Sequence, residues 1–207
     1  MGKESTESEY IMNLSAAFQF IIEEFKQAAP AIDFWSLRLV IDEQESLTVR
    51  QNVVQPPHLA QRQGAHITLM HNGGVAYAAT SQLNREGFQA AIDQAMRWVH
   101  IGQGKMLFDP NTVPRPKASG SYATTVAQPW SDTSLGDKIA LLQDTNQRLK
   151  LHDCIVDWQA YLSHRETQVL LLTSDGIEIK QSFQYIMPGI KAVANIGSDG
   201  FMPGMMY

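Results

Sequence analysis

The sequence has a single cysteine, Cys154, so no intrachain disulfide can form, and a reducing compartment is the expected setting. It has no run approaching about 18 consecutive apolar residues, which rules out a membrane-spanning helix of ordinary length. It has few charges, 18% against about 25% in typical globular chains, so part of its surface is expected to be covered by a partner. It has no basic cluster. With 16 basic and 21 acidic residues the formal charge is −5, and nucleic acid is not an expected partner, because phosphate neutralisation needs grouped Lys and Arg. The first residues, Met1 to Glu9, lack the basic and apolar regions of a signal peptide.

What is present is a globular chain of 207 residues, 44% hydrophobic, long enough to bury a core without disulfides or metals. Leu14, Phe18, Ile21, Ile22 and Phe25 recur at helical spacing and predict a helix over 8–28, ended by Pro30. Alternation predicts a strand over 35–41, a polar turn over 42–46 and a returning strand over 47–54, stopped by Pro56 and Pro57. Asn72-Gly73 between residues 65–70 and 75–80 predicts a tight hairpin. A helix over 84–100 follows, with Asn84 as N-cap and Gly102 as C-cap. Residues 103–133 carry four prolines and read as a long connection over the surface. Ser134 caps a helix over 135–150, with Asp137 at the capping-box position and Leu135, Ile139, Leu142 and Leu149 as its apolar side. The rest reads as four strands, with turns at His164-Arg165-Glu166, at Ser174-Asp175-Gly176 and at Pro188-Gly189. The expected fold class is α+β: antiparallel β-meanders with about three helices packed on one face. The expected organisation is a single domain over 1–207, made of a helix-meander-helix part (8–102), the connection (103–133) and a helix-meander part (134–207).

No residue pattern identifies a catalytic centre. Among His58, His66, His71, His100, His152 and His164 no pair has the i, i+4 spacing of helical metal ligands. His152 and Cys154 would share a strand face, as two ligands or as base and nucleophile. The simpler reading is an exposed histidine and a core thiol. Gly102-Gln103-Gly104-Lys105 follows a helix and does not open one, so it is no phosphate cradle. Asp42, Glu43 and Glu45, and Asp175 and Asp199, read as turn carboxylates. The remaining candidate is a sheet edge that takes an extended peptide, with Thr48, Arg50 and Asn52 as its substrate-binding residues.

The order of motifs resembles one family. Phe34-Trp35-Ser36-Leu37-Arg38-Leu39 followed by Leu47-Thr48-Val49-Arg50-Gln51 resembles the opening of the TldD/PmbA proteins. Gly64 to Leu69 and Gly74 to Leu83 are similar to that family's glycine-led hairpin and the start of its next helix, Ser134 to Leu142 to its third helix, and Ser174-Asp175-Gly176 to its turn. The resemblance spans about residues 14–200. It implies an N-terminal, non-catalytic part of a zinc-dependent peptidase subunit that matures or degrades small peptides, also called a modulator of DNA gyrase. It implies a peptide substrate, a homodimer or a heterodimer with a paralogous subunit around a cavity, and a cytoplasmic location. Zinc in that family is held by His-Glu-x-x-x-His in the second half. The motif does not occur here, so no metal or catalytic residue carries over, no cofactor is expected within this chain, and the C-terminal peptidase domain is expected to be missing. The ending, a Ser198-Asp199-Gly200 turn and then apolar residues to Tyr207, fits a sequence that continues. Two alternatives from other classes are a stand-alone protein-interaction domain and a small hydrolase using Cys154.

Overall fold

The structure, a computed structural model, describes residues 18–115 and 117–195, together with the backbone of 201–206. The elements are α1 (18–28), β1 (Phe34–Arg50), β2 (Val53–Val54), β3 (His58–His71), β4 (Gly74–Thr80), α2 (Arg85–Gly102), β5 (Gly120–Ala123), α3 (Leu135–Gln147), β6 (Ile155–Thr173), β7 (Glu178–Asn195) and β8 (Phe201–Met206). The strands pair in the order β4-β3-β1-β6-β7-β5, with β2 added to β1 and β8 to β7. Pairing is mostly antiparallel, except that β5 runs parallel to β7, so the fold class is α+β with a mixed sheet. No helix among the described residues is long and apolar enough to cross a membrane. The part of the expected first helix before residue 18, and the Ser198-Asp199-Gly200 turn, lie outside the described residues.

Two compact units emerge, each from three stretches. The first comprises the described residues of Met1–Ile41 with Arg62–Ala123 and Gln168–Ser182. Its core forms because Leu37 and Leu39 on β1, Ile67 and Leu69 on β3, Ala76 and Ala78 on β4, and Leu170 and Leu172 on β6 alternate inward. Phe18, Ile22 and Phe25 of α1 and Phe88, Ile92, Ala95 and Val99 of α2 close over that face. Phe25 meets Phe88 edge-on at 5.4 Å and Trp35 at 5.1 Å. The hairpin forms as expected. Ala65 pairs with Thr80 through to His71 with Gly74, and Asn72 (φ 49°) and Gly73 (φ 76°) make the turn. Asn84 caps α2 by accepting the Gly87 N–H at 2.9 Å. The helix runs on through Gly102, and Gly104 (φ 70°) takes the left-handed position expected of Gly102.

The second unit comprises Asp42–Gln61, Thr124–Thr167 and the described residues of Phe183–Tyr207. Leu47, Val49, Ala160, Leu162 and Leu142 form its smaller core. Ser134 caps α3 by accepting the Asp137 N–H, and its hydroxyl donates to the Asp137 carboxylate at 2.6 Å. The helix stops at Gln147, and its buried face is Lys138, Leu142 and Asn146, while Leu135 is half exposed.

Three expected turns do not exist. Residues 42–46 lie inside β1, 164–166 inside β6, and 188–189 inside β7. The first two polar stretches belong to neighbouring strands and satisfy each other. Arg165 donates to Asp42 at 2.7 and 3.1 Å, the Thr167 hydroxyl donates to Asp42 at 2.7 Å, and Ser46 and Ser163 share a 2.9 Å hydrogen bond. Pro188 is tolerated because β5 pairs with β7 only as far as Ser182 and β8 only from Ile190. The Tyr161 ring lies over Gly189, where a Cβ would come 2.1 Å from its Cζ and would need that ring to move. The 103–133 connection also does more than wrap the surface: it contributes β5 to the sheet.

Candidate functional site

In the first unit, alternation turns a second set of side chains away from the helices. Arg38 on β1 sits between the buried Leu37 and Leu39, and His66 on β3 between the buried Ala65 and Ile67. Together with Val40, Gly64, Ala65, Ala79, Thr80 and Ser81 they line a shallow pocket of about 410 Å³. Gly64, which has no side chain, and the small Ala79 leave its floor low. The His66 ring stacks on exposed Tyr77 of the neighbouring strand, with centroids 5.2 Å apart. This is a diagonal cross-strand pair, since His66 faces Ala79 and Thr68 faces Tyr77. The Thr80 hydroxyl accepts the Gln82 N–H at 3.1 Å, which fixes the strand end. At another place in this unit Arg115, from the connection, lies 4.1 Å over the Phe34 ring and 3.7 Å from the Asp175 carboxylate. Asp33 accepts the Asn72 N–H at 2.8 Å and bonds His71 Nδ1 at 3.2 Å. The Asn72 bond is the main cause holding its carboxyl below the usual carboxylate range, with His71 adding to it against some desolvation.

In the second unit an aromatic stack stands on α3 and β6. The Trp130 ring lies parallel to His164 at 5.0 Å, the buried Lys138 ammonium sits 3.7 Å from its centroid, and its indole N–H donates to Glu45. His164 Nε2 is buried without a hydrogen-bond partner. Burial is the main cause lowering the His164 pKa, opposed by a hydrogen bond with Gln184 and by the charge of Glu45.

The residues expected at a free strand edge are not at one. Thr48 and Arg50 lie on β1, which has neighbours on both sides there: Val49 and Arg50 pair with β2, and Arg50 binds Asp157 of β6 at 2.8 and 3.0 Å. Asn52 sits in the following turn at φ 63° and gives its N–H to Asn146 at 2.8 Å. His152 and Cys154 precede β6 and do not share a strand face; His152 Nδ1 accepts the Cys154 N–H at 3.1 Å and so closes a turn. Asp42 and Glu45 are not solvated turn carboxylates but the partners of Arg165 and Trp130. Asp199 lies outside the described residues. Sequence reading overlooked Arg38 with His66, and Lys138 with Trp130 and His164. The signal for the second group was available: Lys138, Leu142 and Asn146 are spaced i, i+4, i+8, one stripe of α3.

Two family models match the chain in order. Residues 35–99 match PmbA/TldA metallopeptidase domain 1, and residues 128–207 match the PmbA/TldA metallopeptidase central domain. No curated protein matches. Among solved structures, one from Bacteroides thetaiotaomicron that carries the name modulator of DNA gyrase is similar at TM-score 0.64 and 15% identity, over 88% of this chain and 41% of that one. TldE from Thermococcus kodakarensis is similar at TM-score 0.59 and 16% identity, over 88% and 40%. A Thermotoga maritima structure, also named for modulation of a DNA gyrase, is similar at TM-score 0.58 and 11% identity, over 80% and 37%. These identities speak to the fold, and the chain spans about two fifths of the length of each of those structures.

Proposed function

The chain belongs to the PmbA/TldD family, and from that premise we propose that it serves as the N-terminal, non-catalytic part of a peptidase-family subunit. In this reading it helps to wall a cavity that takes small peptides for maturation or degradation. It also supplies contacts to a second subunit, identical or paralogous, in the cytoplasm. The observation that carries the reading is the ordered match to a first and a central metallopeptidase domain across most of the sequence.

The zinc implied by the family resemblance does not fit the described residues, among which no three His, Cys, Asp or Glu side chains come together. The chain's own contribution is positioning: rigid strands anchored through Leu37, Leu39, Ile67 and Leu69 hold outward side chains in fixed places.

The test compares peptide hydrolysis by the chain alone with hydrolysis by the longer subunit and its paralogue, using a mixed fluorogenic peptide set. A peptide carrying a photoactivatable group is cross-linked in parallel. The expected result is cleavage only by the longer assembly, with this chain labelled. Cleavage by the chain alone, or an active assembly whose peptide never labels it, would overturn the reading.

A further inference from the structure

We propose that the pocket between Arg38, His66 and Ala79 is a carboxylate-binding site that holds one acidic group of a peptide; that the ligand is a peptide rests on the reading above. The chain carries a net charge of −5, yet the pocket lining contains one guanidinium, one imidazole and no carboxylate. No ion pair among the described residues engages Arg38. The lining therefore presents an uncommitted planar fork of N–H donors, the geometry that matches the two oxygens of a carboxylate.

The site is also built to hold that fork in place. Leu37 and Leu39, which flank Arg38, and Ile67, beside His66, are fully buried, and Ala65 nearly so. The backbone beneath both side chains is thereby fixed before any ligand arrives, which lowers the ordering cost of binding. Tyr77 sets the plane of the imidazole by stacking. Gly64 and Ala79 supply space where larger side chains would fill the recess. Ser81 and Thr80 put hydroxyls at the rim, one of them already oriented by the Gln82 N–H. Phosphate is the poorer fit, because phosphate sites usually add a helix N-terminus or a nest of backbone N–H groups, and the lining comes entirely from strands β1, β3 and β4 and the residue that follows β4.

The experiment is an amide NMR titration of the chain with three probes: an N-acetylated dipeptide with a free C-terminal carboxylate, the same dipeptide amidated but bearing a glutamate, and inorganic phosphate. An amidated, uncharged dipeptide is the control. Shifts centred on Arg38, His66 and Ala79 with either carboxylate probe, and not with the control, are expected; which of the two binds tells a C-terminal from a side-chain carboxylate. Arg38→Gln should weaken binding by about tenfold or more, as expected for loss of a charged hydrogen-bond partner. Ala79→Leu should weaken it comparably by filling the recess, with the charge left in place. Both positions are exposed, so both variants should fold. Shifts that are equal with the uncharged control, that are absent with both carboxylates, that survive in Arg38→Gln, or that are strongest with phosphate would overturn the site. Because no hydrolysis is read, a chain that binds carboxylate within an assembly that fails to cleave peptides would retain the site and refute the peptidase reading alone.

Discussion

Arg165 grips Asp42 with two parallel hydrogen bonds, Nε to Oδ1 at 2.7 Å and Nη2 to Oδ2 at 3.1 Å, and Asp42 is nine-tenths buried. A charge so placed is stable only while its partner stays, and the Thr167 hydroxyl occupies a further lone pair. Asp42→Asn should lower the urea midpoint without changing the slope, because the amide keeps one acceptor oxygen but loses the charge and turns an NH2 toward one arm of the guanidinium fork, while the exposed area stays the same. Arg165→Lys should also destabilise, since an ammonium cannot make the fork. An unchanged midpoint in both variants would show that the pair contributes nothing to holding the middle of β1 against β6.

Asn146 is fully buried and uses both ends of its amide. Its Nδ2 donates to the Val49 carbonyl and its Oδ1 accepts the Asn52 N–H, each at 2.8 Å. The turn it clamps has two non-glycine residues at positive φ, Gln51 and Asn52. Asn146→Ala should cost about 1–3 kcal/mol, because it takes the side-chain donor from the buried Val49 carbonyl and the acceptor from the part-buried Asn52 N–H. Asn146→Asp should cost more near neutral pH, since it keeps the acceptor, loses the donor and buries a charge. Equilibrium unfolding at two pH values separates these outcomes.

Gly74 and Gly87 are places where a side chain has no room. A Cβ at 74 would lie 2.2 Å from the Val99 carbonyl oxygen, and one at 87 would lie 2.2 Å from the Gln82 carbonyl oxygen. In both cases the obstacle is backbone, so α2 or the hairpin must move. Gly→Ala in an exposed helix normally stabilises by up to about 1 kcal/mol. Here each substitution should destabilise by about 1–3 kcal/mol. Gly102→Ala, with open space around it, is the control that should show no such loss.

These residues also show what local sequence can convey. The hairpin over 65–80 and the caps at Asn84 and Ser134 were legible because their chemistry is local: positive φ at Asn72-Gly73, and an oxygen placed before a helix. The long strands were not, because Asp42 to Ser46 and His164 to Glu166 look like solvated turns until each supplies the other's partners across 117 to 125 positions. Glycine inside a helix ordinarily weakens it, but Gly87 is a packing requirement, since the Gln82 backbone leaves no room for a Cβ. The carboxylate pocket was invisible for the same reason as the strands. Arg38 and His66 are ordinary alternating strand residues, and only the β4-β3-β1 order joins them.

The pH dependence of stability should have two separate parts. Burial beside Trp130 lowers the His164 pKa below its ordinary 6.5, Lys138 pushes the same way, and Gln184, Glu45 and Glu43 only partly oppose it. Above 6.5 the ring is neutral in both folded and unfolded chains and contributes no slope. Below 6.5 the unfolded chain takes the proton first, so stability should fall with falling pH until the folded ring is protonated too. The carboxylates act lower. The hydrogen bond from Arg50 is the main cause holding Asp157 below its ordinary 3.8, so its contribution is complete above 3.8 and is lost as pH falls beneath that value. Urea unfolding across this range should therefore show a decline starting near 6.5 and a second one below 3.8. His164→Gln should remove the upper decline and spare the lower, whereas Asp157→Asn should weaken only the lower. An upper decline that persists in His164→Gln would assign it to another histidine and would show that the Trp130 stack does not keep the ring neutral.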